Sequence, residues 1–164
     1  MPEQGSVEKF QKAIEALSDL PVHGVVTVGD SVDPAALRPS RNVVVFATAD
    51  HDNLMRRARL VLTHGGHGTF MRALKYGLPL VVITGLGGDQ PTNAAAAHDW
   101  NVGLALPGDA SAPMMRDAVA NVLGSNFYRM NARAVSAQLT GIDGAEKAAD
   151  EIELLLSNRF KKAC

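Results

Sequence analysis

Cysteine is nearly absent from this chain: of its 164 residues only the last, Cys164, carries a thiol. One thiol excludes an internal disulfide and a cysteine-based metal site, and fits a protein kept in a reducing cytoplasm. An excess of charge of either sign is also missing. Lys and Arg number 16 against 17 Asp and Glu, for a net charge of −1. The basic residues gather only at Arg56-Arg57-Arg59 and Arg159-Lys161-Lys162, which read as solvated faces and not as a surface that tracks nucleic acid. No apolar run approaches the roughly 18 residues of a membrane span, and the opening MPEQGSVEKF lacks the basic and then apolar pattern of a leader. There is no EF-hand, zinc or paired-carboxylate motif, no internal repeat and no linker. These absences leave a soluble, untargeted chain of one domain, residues 1–164. Its 46% hydrophobic and 20% charged residues are ordinary for a globular fold with a proper core.

What is present alternates short apolar runs with amphipathic segments. Phe10, Ala13, Ile14 and Leu17 fall at i, i+3, i+4 and i+7, which predicts a helix over 7–20. Short apolar runs at His23–Val28, Asn42–Phe46, Leu60–Thr63, Leu80–Ile83 and Val102–Leu106 read as strands. Helices are expected over 52–58, from about Phe70 to Gly77, over Pro91–Trp100, from the capping Ser111 to Leu123, and over 126–139 and 144–157. Parallel strands need crossover connections, so this alternation predicts an α/β fold: a Rossmann-like, doubly wound parallel sheet with helices on both faces.

The chain is organised around LVLTHGGHGTFMRALKYGLPLVVITGLGGDQPTN, from Leu60 to Asn93. A strand runs into the glycine turn His64-Gly65-Gly66-His67-Gly68-Thr69 and then into a helix. The first N–H groups of a helix lack intrahelical partners and lie at the positive end of its dipole, so such a turn suits a phosphate. A second strand leads to Gly85-Leu86-Gly87-Gly88, which presents Asp89 and Gln90 just before another helix. In an open α/β sheet both loops lie at the carboxyl ends of strands, where ligands bind. A glycine turn that merely allows a tight strand-to-helix connection, Asp89 and Gln90 as ordinary helix-start residues, and His64 with His67 as metal ligands are the competing readings. The last has no third ligand nearby.

THGGHGT, GLPLVV and GDQPTNA at this spacing resemble the donor-binding half of the GT-B glycosyltransferases, in the inverting family that includes the macrolide, enediyne and UDP-glucuronosyl enzymes. The resemblance spans roughly residues 22–156. It implies the C-terminal half of a two-domain enzyme, a hexosyltransferase, that binds a nucleotide-diphosphate sugar. His64, Gly66, Gly68 and Thr69 then meet the diphosphate, Asp89 and Gln90 pair with vicinal sugar hydroxyls, and His51 bounds the nucleobase region. It implies no catalytic residue in this chain, no metal and no other cofactor. The partners are the nucleotide-sugar donor, an absent N-terminal acceptor-binding domain and a small-molecule, natural-product acceptor, with neither nucleic acid nor membrane.

Two departures qualify the resemblance. His67 replaces a small residue, and Arg72 stands where many uridine-diphosphate users have a glutamate that accepts from ribose hydroxyls. Arginine only donates, which favours a deoxythymidine-diphosphate donor over a uridine one unless Arg72 simply faces solvent. The family also places a strand and its turn before the first helix, so the chain reads as a half whose first strand is missing, with an uncovered sheet edge through which a homodimer could form. A non-catalytic nucleotide- or phosphate-binding module and a sugar-nucleotide epimerase remain the alternative functions.

Overall fold

A computed structural model describes residues 2–85, 87–142 and 144–162. Leu86 of the second glycine loop and Cys164 lie outside the described residues, as do the side chains of Arg159, Lys161 and Lys162. The elements are α1 (Pro2–Ser18), β1 (Gly24–Thr27), β2 (Val43–Phe46), α2 (His51–Met55), β3 (Val61–Thr63), α3 (His67–Lys75), β4 (Leu80–Thr84), α4 (Gln90–Asp99), β5 (Gly103–Pro107), α5 (Ala112–Gly124), α6 (Asn126–Leu139) and α7 (Gly144–Lys162). The expected alternation is present, with every strand pair parallel. No helix among the described residues is long and apolar enough to cross a membrane.

The strands form two sheets, β1-β2 and β3-β4-β5. Gly24 pairs with Val43 in the first; Val61 pairs with Leu80, and Leu80 with Gly103, in the second. In a doubly wound fold, successive crossovers move outward in both directions from a central first strand. The described strands supply the two outward runs, and the ladder breaks between them, with α1 as the first described element. Helix α1 spans the break: Leu17 packs against the β1-β2 cluster of Ile14, Val26 and Val43 and also against the cluster of Val81, Val119 and Val122 under β4 and α5.

The main core lies between the three-stranded sheet and helices α3, α4 and α6, where Phe70, Leu74, Leu80, Val82, Ala97 and Ala132 are buried. Each large apolar side chain removed from water there contributes roughly 1.5–3 kcal/mol. β4 has its first three residues, Leu80, Val81 and Val82, fully buried, as befits the central strand of a parallel sheet covered on both faces. Ala94 and Ala97 let α4 approach the sheet closely. The helix starts differ from the sequence reading. α3 opens at His67, so Gly68 and Thr69 belong to its first turn, and α4 opens at Gln90 with Pro91 just inside its start, where a missing N–H is harmless.

Candidate functional site

The turn after β3 reverses direction at Gly65, whose φ of +87° is open to glycine without strain. A β-carbon there would also lie 2.9 Å from Val82 and 3.3 Å from the Gln90 carbonyl, so the turn sits tightly on the start of α4. The Gly65 N–H donates to Thr63 Oγ1 at 3.2 Å. At Gly66 the exposed His64 ring folds over the backbone, with Nε2 2.7 Å from where a β-carbon would stand. Among the described residues nothing comes within 4 Å of where a β-carbon on Gly68 would stand.

Gly66 is the N-cap of α3 and has no side chain to cap it. The first helical N–H, of His67, instead donates to Asp89 Oδ2 at 2.7 Å. Among the described residues no acceptor meets the N–H groups of Gly68 and Thr69, so two donors at the positive end of α3 stay open beside His64. His67 is itself exposed. Asp89 is the N-cap residue of α4 yet its side chain accepts no backbone N–H of that helix; its carboxylate caps α3 instead. Asn93, buried on α4, donates to the Gly65 carbonyl at 2.7 Å and to Asp89 Oδ2 at 3.2 Å. The side chain of Gln90 folds against Gly85.

The structure thus brings the His64–Thr69 turn and the Asp89-Gln90 loop into direct contact at the carboxyl ends of β3 and β4. Among the described residues His51 makes no hydrogen bond to either loop; it opens α2, where its Nε2 lies 3.2 Å from Thr27 Oγ1 at the end of β1. Arg72, about half exposed, is not a free cation: its Nε lies 3.5 Å from Asp52 Oδ1, which ties α3 to α2. No group of three His, Cys, Asp or Glu side chains able to hold a metal ion is gathered among the described residues. Asn93 was not singled out from the sequence. An amide at the head of an alanine run, three residues after Gln90, was the available signal.

Residues 12–153 match the family described as erythromycin biosynthesis protein CIII-like, C-terminal domain. The NDP-glycosyltransferase YjiC of Bacillus licheniformis is 29% identical over 152 residues, a match covering 92% of this chain and 38% of that protein. Demethyllactenocin mycarosyltransferase of Streptomyces fradiae is 28% identical over 153 residues, covering 90% of this chain and 32% of its own. The solved structure of the calicheamicin glycosyltransferase CalG4 superposes with a TM-score of 0.80 at 28% identity, covering 92% of this chain and 40% of that one. The spinosyn rhamnosyltransferase SpnG complexed with thymidine diphosphate shares the fold, with a TM-score of 0.77 at 24% identity; 92% of this chain and 41% of that one are covered. The match therefore covers 32% to 41% of the length of these relatives.

Proposed function

This chain belongs to the family of erythromycin biosynthesis protein CIII-like C-terminal domains, glycosyltransferase C-terminal domains of GT-B type, and on that premise we propose that it binds the nucleotide-sugar donor of an inverting glycosyl transfer. The observation that carries the proposal is the pair of open N–H groups on Gly68 and Thr69, beside the exposed His64 and below the open space over Gly68. Among the described residues nothing lies within 4 Å of a β-carbon at position 68, which leaves room for a ligand oxygen to reach the backbone.

As the sugar–phosphate bond breaks, negative charge grows on the leaving diphosphate. Preorganised donors aimed at that charge stabilise it: the two backbone N–H groups, the dipole of α3 and the His64 side chain, with no metal required. Asp89 Oδ1 and the Gln90 amide read the sugar hydroxyls, and His51 borders the base. The donor is a deoxythymidine- or uridine-diphosphate sugar, consistent with the thymidine diphosphate bound to SpnG and with the lack of an acceptor at Arg72. The acceptor is a small natural-product hydroxyl held by a second domain. That domain also supplies the base that takes the hydroxyl proton from the opposite face of the sugar.

The test is a calorimetric titration of the chain with deoxythymidine and uridine diphosphates, in the presence and absence of a chelator, followed by a transfer assay. Binding that ignores the chelator, with glycoside formed only when an acceptor-binding half is supplied, is the expected result. Turnover by these residues alone would place the base within them and overturn the division of labour.

A further inference from the structure

We propose that Asn93 is a positioning residue: its side-chain amide holds the Asp89 carboxylate against the N-terminus of α3, so that the phosphate turn and the sugar-reading loop meet the donor as one unit. The inference rests on the donor-binding reading of that site and adds a residue that acts on it from beneath. Asn93 is 6% exposed, and its two neighbours are a backbone carbonyl and a carboxylate, both acceptors only. The amide nitrogen must therefore face them, and its two protons are fully used, on Gly65 O at 2.7 Å and on Asp89 Oδ2 at 3.2 Å. The same Asp89 oxygen accepts the His67 N–H at 2.7 Å.

One continuous path then runs from Thr63 on β3 through Gly65, Asn93 and Asp89 to the first residue of α3. With Oδ2 committed to α3 and to Asn93, the Asp89 rotamer is held, and Oδ1 accepts no hydrogen bond among the described residues. Without the second proton of Asn93 the exposed carboxylate is held by the His67 N–H alone, and it can swing back to cap its own helix, as Asp residues before helices commonly do.

A residue that merely satisfied the Gly65 carbonyl would support folding and nothing else. Serine separates the two roles, because a hydroxyl has one proton and can serve only one of the two acceptors. The experiment compares wild type, Asn93→Ser, Asn93→Ala, Asp89→Ala and the Asn93→Ser/Asp89→Ala double variant. Each is titrated with deoxythymidine diphosphate and with deoxythymidine-diphosphate glucose, and hydrogen exchange at the His67 amide is followed by NMR. In Asn93→Ser the advantage of the sugar nucleotide over the bare diphosphate is expected to fall about tenfold, the scale of a lost hydrogen bond to a charged group. His67 exchange is expected to rise toward that of Asp89→Ala, and the double variant to lose no more than Asp89→Ala. If Asn93→Ala fails to fold, Asn93→Ser still decides.

Additive losses in the double variant, or a His67 amide as protected in Asn93→Ser as in wild type while Asp89→Ala exposes it, would overturn the assignment. Should wild type bind neither probe, the donor-site reading itself would fall. The His67 exchange would then decide whether Asn93 positions Asp89.

Discussion

The two sheets of this molecule differ in how completely they are covered. In the β3-β4-β5 half, Leu80, Val81 and Val82 are fully buried, and the loops after β3 and β4 are bound to one another through Asp89 and Asn93. In the β1-β2 half, Val25 is 44%, Val44 51% and Phe46 49% exposed, and His51 meets Thr27 across a single 3.2 Å contact. Both halves are parallel and both present loops at strand carboxyl ends. Only one, however, has the packed surroundings that can hold donors at fixed positions. On the proposed reading, the diphosphate and sugar contacts fall in the covered half and the base-facing contact in the half whose sheet ladder is interrupted.

The largest test of this contrast is stability. Leu80→Ala should cost roughly 2–5 kcal/mol of unfolding free energy, whereas Val44→Ala should cost well under half as much, as read by urea denaturation. Equal losses would mean that the two halves are equally packed. Next comes Gly65→Ala, where a φ of +87° and the crowding by Val82 should together cost about 2–4 kcal/mol and carry diphosphate affinity down with it. An unaltered melting curve would show that the turn is less tightly seated on α4 than the contacts imply.

His64→Ala removes a side-chain donor but leaves the backbone N–H groups, so diphosphate binding should weaken by about 1–3 kcal/mol. His51→Ala should weaken it less, and calorimetry that ranked His51 above His64 would reverse the assignment of the two halves. The smallest effect is expected at Arg72. Its ion pair with Asp52 is half exposed on both sides, so Arg72→Ala should change stability by less than about 1 kcal/mol. Deoxythymidine diphosphate should still bind at least as well as the uridine ligand.

The covered half was also the more legible one. The apolar runs at Leu60–Thr63 and Leu80–Ile83 and the glycines after them gave strand, turn and helix directly, because burial on both faces writes a continuous apolar run. An uncovered sheet edge was expected from the lack of a strand before the first helix; the division of the strands into two sheets, β1-β2 and β3-β4-β5, was not foreseen. Contacts that join residues distant in sequence through single polar atoms were not legible. The α3 start was read a few residues late because a glycine in a first helical turn looks like a loop, and because its cap comes from Asp89, 22 residues away. Arg72 was read as a bare cation or a ribose neighbour, and its partner Asp52 lies on another helix. Asn93 sat inside an alanine-rich segment as one polar residue, and nothing local announces that both of its amide protons have partners in two different loops.

The account's central claim is that the diphosphate is received by the first turn of α3. The most direct measurement is a titration of the isotopically labelled chain with deoxythymidine diphosphate, followed through the backbone amide resonances. The largest shifts are predicted at Gly66, Gly68 and Thr69, with smaller ones at His51 and Thr27 and none at Val44. Saturable binding that left the Gly68 and Thr69 amides unmoved would contradict it.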